Sequence, residues 1–204
     1  MLRLYYANVS ALDATACACA LSGYRREKLT KQKDPAARKQ SLGAELLLRA
    51  ALHDAVPERP WPPTIRVGEN GKPAWDVEGL YFNLSHSGDF AACAIADGPL
   101  GLDVQEHCAY REALARRFFS EAEQAEIEAA EDRDLAFGRI WALKESWIKA
   151  IGTGLSTPLA SFSIVGEDKV NAAFWYDFRE GCHFALCLPD AEIATPDIII
   201  PVTL

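Results

Sequence analysis

Residues 141–155, Trp-Ala-Leu-Lys-Glu-Ser-Trp-Ile-Lys-Ala-Ile-Gly-Thr-Gly-Leu, decide how the chain is read. The stretch predicts a helix that ends at a glycine-flanked loop, and it places Glu145 and Lys149 one helical turn apart on a shared face. Taken alone, a Glu-to-Lys pair at that spacing is a surface pair adding about 0.2–0.5 kcal/mol to the helix. Its weight changes beside Gly101-Leu102-Asp103-Val104-Gln105. There, alternation turns Leu102 and Val104 toward a core and Asp103 and Gln105 to the opposite face. Asp103 by itself reads as a strand-end or turn aspartate. Together the two segments collect carboxylates beside an ammonium, a set suited to a divalent cation and chemistry on a phosphate ester.

The rest of the chain permits such a site and excludes others. Its 204 residues, 50% hydrophobic and 25% charged, describe an ordinary globular protein of one domain or two small halves. It has no apolar run of the roughly 18 residues that a membrane span requires. The N-terminal stretch is broken by Asp13 and lacks a basic start beyond Arg3, so no secretory signal is read and a cytoplasmic location is expected. Cys17, Cys19, Cys93, Cys108, Cys182 and Cys187 lack zinc spacing and read as reduced packing residues. A net charge of -8 argues against nucleic acid as a partner. The charge is uneven, however: Arg25, Arg26, Lys28, Lys31, Lys33, Arg38 and Lys39 face only Glu27 and Asp34, whereas residues 121–134 are strongly acidic. The basic segment could grip a phosphorylated ligand or merely form solvated helix faces.

Periodicity predicts a strand over residues 2–6 and helices over 12–32 and 35–54, the second with an apolar spacing through Leu42, Leu46, Leu47 and Ala50. Pro57, Pro60, Pro62 and Pro63 then break the pattern. Strands follow near Ile65 and over 80–84, 90–96 and 100–104. Helices are predicted over 110–118, from Ser120 with Glu123 at the capping-box position, and over 134–151. Strands over 161–165, 172–178, 183–188 and 198–200 close the chain. The expected class is α/β in content (α+β), with antiparallel-looking strands in two halves, 1–100 and 101–204, forming one compact unit.

At these residues the sequence resembles the 4'-phosphopantetheinyl transferases, in particular the larger surfactin-synthetase-activating type. The lysine-helix signature is complete from Trp141 through Lys144, Glu145, Ser146, Lys149, Gly152 and Gly154 to Leu155. The signature around Asp103 departs at its last position, where Gln105 replaces the usual glutamate. Asn70-Gly71-Lys72-Pro73, Phe82-Asn83-Leu84-Ser85-His86-Ser87-Gly88, Arg117-Phe118-Phe119-Ser120, and Leu155-Ser156-Thr157-Pro158-Leu159 with Ser161-Phe162-Ser163 match further segments in the same order. Such an ordered series is far more specific than one short motif.

The resemblance implies two pseudo-symmetric α/β subdomains with coenzyme A in the cleft between them. It implies Mg2+-dependent transfer of the phosphopantetheine arm to a serine of an acyl or peptidyl carrier protein, releasing adenosine 3',5'-bisphosphate, by a monomeric enzyme. Asp103 and Glu145 would hold the metal, with Gln105 a neutral third candidate; Glu145 would also serve as base and Lys149 would contact the pyrophosphate. Lys28, Lys31, Arg38, Lys39, Lys72, Ser85 and His86 would contact coenzyme A, and Arg116 and Arg117 beside Phe118 and Phe119 could receive an acidic carrier helix. Glu106 cannot replace the missing glutamate because alternation turns it to the other face. The competing expectation is a catalytically weak coenzyme A or carrier-binding module that keeps the fold.

Overall fold

The computed structural model describes residues 1–13 and 21–204. Strand β1 spans Leu2–Asn8; helices α1 and α2 span Gly23–Lys31 and Pro35–Ala55. A short hairpin, β2 (Ile65–Val67) and β3 (Pro73–Trp75), precedes β4 (Tyr81–Ser87), β5 (Phe90–Ala96) and β6 (Gly101–Glu106). Helices α3 (Glu112–Phe118), α4 (Glu121–Ala129) and α5 (Arg133–Ile151) follow, then β7 (Ala172–Arg179), β8 (Cys182–Pro189) and β9 (Ile198–Pro201). The larger strands form two sheets, ordered β4-β5-β1-β9 and β6-β8-β7.

Period-two alternation sorts the side chains into three cores. Ala91, Cys93 and Ile95 of β5 pack with Tyr5 and Ala7 against Leu42, Leu47, Leu48, Ala51 and Leu52 of α2. The intervening residues Ala92, Ala94 and Ala96 face the other sheet, joining Leu102 and Val104 of β6 and Phe184 and Leu186 of β8. On the far side of that second sheet, Ala185 packs under Phe137, Ile140 and Leu143 of α5. The layers therefore run helix, sheet, sheet, helix. Strand β5 is buried along its whole length because both its faces are covered, and its alanines let both layers approach. The face of β6 opposite Leu102 and Val104 carries Asp103, as the alternation predicts, but that face lies beneath α5 and not in open solvent.

Close approach of α5 to β6 requires a glycine. A Cβ on Gly101 would sit 1.9 Å from the Ser146 carbonyl oxygen and 2.4 Å from the Ala150 nitrogen, so no larger residue fits there. At the other end of the contact, Gly152 takes φ 71° and caps α5 in the left-handed conformation. Lys144 lies in the middle of the helix and is wholly buried. Its ammonium meets both carboxylate oxygens of Glu123 at 2.7 Å and donates to the Phe162 carbonyl at 2.7 Å. Glu123 also completes the capping box with Ser120 and accepts from the Ile164 amide at 2.9 Å. One ion pair thus fastens α4, α5 and the segment after Pro158.

That fastening explains a departure from expectation. The strand predicted over 161–165 is a 3-10 turn, Leu159–Ser161, followed by a single bridge between Ser163 and Lys169. Lys144 and Glu123 have already taken the backbone groups of Phe162 and Ile164 that a strand partner would use. Two further corrections concern β9 and α1. Strand β9 runs parallel to β1, pairing Arg3 with Ile198, so the chain's last strand belongs to the sheet of the first half. Helix α1 starts only at Gly23, where the Ser22 side chain accepts from the Arg25 amide; residues 14–20 of the expected 12–32 helix, with Cys17 and Cys19, lie outside the described residues. Cys93, Cys182 and Cys187 are buried and free. No helix among the described residues is long and apolar enough to cross a membrane.

Removing one partner of a buried pair leaves the other charged and unpaired. Lys144→Met is therefore expected to lower unfolding stability by about 3–5 kcal/mol in urea denaturation. A loss within about 0.5 kcal/mol, the range of ordinary surface substitutions, would mean that the pair does not fasten these elements.

Candidate functional site

A face of the first sheet meets the edge of the second through side chains. Asn83, Ser85 and Ser87 occupy alternate positions of β4 and point toward β6. The Asn83 carboxamide oxygen accepts from the Leu102 amide at 2.9 Å, and the Ser85 and Ser87 hydroxyls accept from the Val104 and Glu106 amides at 3.0 Å each. Three backbone donors of a strand edge are thus satisfied without a strand partner. The same register turns Leu84 and His86 toward the α1–α2 side, where both line a cavity with Tyr24, Arg25 and Lys28.

Ser85 has a second duty. Besides accepting from Val104, its hydroxyl donates to Asp103 Oδ1 at 3.1 Å and accepts from Lys149 Nζ at 2.8 Å. One donor and two acceptors exhaust what a hydroxyl offers. Lys149 Nζ lies 2.6 Å from Asp103 Oδ1, an ion pair in which Asp103 is almost fully buried and Lys149 partly open. The Glu145–Lys149 surface pair that helix spacing alone suggests does not form: Lys149 turns to Asp103, and Glu145 faces the groove. Burial and the nearby charge of Asp103 raise the pKa of Glu145, with Lys149 acting the other way. Burial likewise raises Asp103, against the pull of Lys149 and Ser85. Asp103 Oδ2 is buried with no hydrogen-bond partner.

A groove extends from these groups. Glu145, Ile148 and Lys149 of α5 line a cavity of about 290 Å³ together with Asn70, Gly71, Pro73, Asn83 and Leu84. A smaller one of about 120 Å³ shares Gly71, Pro73, Asn83 and Leu84 and continues to Arg25, Lys28 and His86. His86 is driven down to about 4 by burial first, then by the positive charges of Lys149, Lys28 and Arg25. Lys28 is itself lowered by partial burial and by Arg25. One end of the groove is therefore cationic around a neutral imidazole, and the other carries Glu145 and Lys149, whose ammonium pairs with the buried Asp103. A larger cavity, about 790 Å³ beside the β2–β3 hairpin, is not lined by Glu145 or Lys149.

Of the residues expected from sequence, Asp103, Glu145, Lys149, Ser85, His86 and Lys28 converge here. Others have different duties. Lys31 pairs with Glu27 on the exposed face of α1 at 2.7 Å. Arg38 donates to the Leu29 carbonyl at the end of α1, and Lys39 to the Ser10 carbonyl. Lys72 reaches the groove wall, yet its ammonium donates to the Leu100 and Ala150 carbonyls at 3.0 and 2.8 Å, fastening the hairpin turn to β6 and the end of α5. Burial lowers it to about 8. Gln105 donates to the Glu106 carbonyl and lines a separate cavity of about 250 Å³ with His107, Arg111 and Trp141. Arg116 and Arg117 are exposed and Phe118 partly so, whereas Phe119 belongs to the core. Arg25, one of the cations of the basic segment but not among the coenzyme A contacts that the resemblance implies, stands three residues before Lys28, one helical turn away on the same face. It is held by Glu45 at 3.2 Å and Ser41 at 2.8 Å.

Several known proteins are similar to this chain. The family model described as the 4'-phosphopantetheinyl transferase superfamily matches residues 99–194. A Bacillus subtilis protein named 4'-phosphopantetheinyl transferase is 33% identical over 163 residues, covering 78% of this chain and 73% of its own. The 4'-phosphopantetheinyl transferase Sfp of Bacillus subtilis strain 168 is 41% identical over 100 residues, 47% of this chain and 44% of that one. AcpT of Escherichia coli K12, also named a 4'-phosphopantetheinyl transferase, is 35% identical over 143 residues, covering 67% and 72%. The crystal structure of Thermotoga maritima holo-[acyl-carrier-protein] synthase aligns with a TM-score of 0.38 at 22% identity, covering 44% of this chain and 61% of that chain.

The cationic surroundings of His86 make a measurable prediction. Its imidazole is expected to stay neutral down to about pH 4 in the free protein. Lys28→Ala removes a neighbouring positive charge and should raise that midpoint, as followed by NMR of the imidazole carbons. A wild-type midpoint near the ordinary histidine value of about 6.5 would mean that His86 is neither buried nor ringed by cations.

Proposed function

The chain belongs to the 4'-phosphopantetheinyl transferase superfamily, and from that premise we propose that it moves the 4'-phosphopantetheine arm of coenzyme A to a serine of an acyl or peptidyl carrier protein, with adenosine 3',5'-bisphosphate as the other product. It is a transferase of that family. The observation that carries the assignment is the joining of two unlike ends in one groove. Lys28, with Arg25 and the neutral His86 beside it, forms an end suited to phosphate, and Glu145 and Lys149, the latter ion-paired to the buried Asp103, form the reacting end.

In the reaction, the serine oxygen attacks the phosphorus that carries the arm, and the bond to the departing bisphosphate oxygen breaks. Glu145 takes the serine proton. Its raised pKa suits it to that task, because a base works best when its affinity for protons lies near the working pH. Lys149, on the same helix face, offsets charge gathering on the departing oxygen. The donors fit Mg2+. Among the described residues no group of three or more His, Cys, Asp and Glu converges, but a hard cation that shares substrate phosphates needs only one or two carboxylates. Asp103, through its unpartnered Oδ2, and Glu145 would hold it, and its charge would neutralise the pyrophosphate. Exposed Arg117, beside Arg116 paired to Glu112, offers positive charge to an acidic carrier surface.

Incubating the purified protein with coenzyme A, Mg2+ and a panel of unmodified carrier proteins tests the assignment by mass spectrometry. A gain of ~340 Da on the carrier serine is expected. Glu145→Gln should abolish that gain while leaving the thermal unfolding profile intact, because the change is nearly isosteric; wild-type turnover by this variant would remove Glu145 from both the base and the metal role. For the cationic end, Lys28→Ala is expected to weaken adenosine 3',5'-bisphosphate by roughly tenfold in calorimetry, about 1.4 kcal/mol, and Lys31→Ala by less than about twofold. Equal losses would show that the segment acts as a diffuse positive field.

A further inference from the structure

We propose that Lys149 is the resident counter-ion of Asp103, and that it yields this place to a divalent cation when substrate phosphate draws its ammonium away. Binding of the cation and of the phosphate ligand is then coupled through one side chain. The inference rests on the reading of Asp103 and Glu145 as cation-holding carboxylates.

Four observations support it. Lys149 Nζ sits 2.6 Å from Asp103 Oδ1 and 2.8 Å from Ser85 Oγ, so its charge is committed to the position that a metal ligand must offer. Asp103 Oδ2, on the same carboxylate, is buried and unpartnered: the ammonium satisfies one oxygen and leaves the other. Exposure differs between the partners, 29% for the lysine side chain against 7% for the aspartate. The flexible lysine stem can leave and the aspartate on β6 cannot. Finally, Lys149 lines the groove beside Glu145, so a ligand in that groove meets the ammonium directly.

The electrostatics follow from these positions. With Lys149 in place, Asp103 and Glu145 together with the ammonium present one net negative charge to an arriving cation, and the ammonium repels it at close range. When a phosphate oxygen takes over the ammonium, both carboxylates face the cation and that repulsion weakens. Ser85 sets the balance, since its hydroxyl holds Nζ and Asp103 Oδ1 at once. By linkage, whatever factor the phosphate ligand adds to cation affinity, the cation returns to the ligand.

Binding of Mn2+ without turnover tests this, with free ion counted by electron paramagnetic resonance. In the absence of any phosphate compound, Lys149→Met is expected to bind Mn2+ on the order of tenfold more tightly than wild type, within the usual span of coupling between sites. Lys149→Arg, which keeps the charge, should bind no more tightly than wild type. Unchanged or weaker binding by Lys149→Met would overturn the proposal. Should that variant fail to fold, Ser85→Ala carries the test, because it removes the ammonium's second acceptor; tighter binding supports the exchange and unchanged or weaker binding refutes it. Wild type is also measured with coenzyme A, using Asp103→Asn as control. If wild type then binds no Mn2+ that Asp103→Asn abolishes, the cation reading itself fails and the inference falls with it. If it does, and Lys149→Met matches wild type without coenzyme A, only the counter-ion role is lost.

Discussion

Helix α5 lies on strand β6 so closely that a single methyl group at Gly101 would collide with the Ser146 carbonyl and the backbone of Ala150. This contact sets the height of the helix above the sheet. At that height Lys149 reaches Asp103 and Glu145 feels its charge. The groups proposed to carry the chemistry stand on two regular elements, which hold side chains more firmly than loops do. The C-terminus of α5 is fixed just as closely: Gly152 supplies the left-handed cap, and Lys72 donates to the Ala150 carbonyl from the hairpin turn.

Each half of the molecule carries a buried ion pair with a backbone amide bound to its carboxylate. Glu45 holds Arg25 and the Ser22 amide between α1 and α2. Glu123 holds Lys144 and the Ile164 amide between α4, α5 and the following segment. Buried pairs of this kind gain little over apolar packing of the same volume, yet they admit few alternative arrangements. Arg25 also lines the groove, whereas Lys144 is wholly buried and turns toward Glu123 and Phe162.

The junction between the sheets follows another logic. A face of β4 and the edge of β6 approach without sharing a backbone ladder, and Asn83, Ser85 and Ser87 supply the missing acceptors. Because these side chains point toward β6, the residues between them point away, which is how His86 comes to stand among Arg25, Lys28 and Lys149. A short polar motif therefore joins the two sheets with one face and lines the ligand groove with the other. Ser85 belongs to both, since its hydroxyl touches the Val104 amide, the Asp103 carboxylate and the Lys149 ammonium.

Much of this was legible in the sequence wherever the signal is local. The periods of 3.6 and 2 located the long helices and most strands, the Ser120–Glu123 spacing marked the start of α4, and alternation around Asp103 placed it opposite Leu102 and Val104. The ordered motifs pointed to Asp103, Glu145 and Lys149, and in the fold Lys149 meets Asp103 while Glu145 lies near enough to feel its charge. What sequence could not decide was which cations face the groove and which serve the fold. Lys28, Lys31, Arg38, Lys39 and Lys72 are alike in charge, and their fates differ because Lys28 lines the groove while Glu27 or a backbone carbonyl claims each of the other four. The same holds for residues 161–165, whose strand-like pattern lost its backbone partners to Lys144 and Glu123, and for β9, whose place beside β1 rests on pairing across nearly the whole chain. Local periodicity determines elements and faces; the assignment of each polar group to site or scaffold is settled only when packing brings its competitors within hydrogen-bond reach.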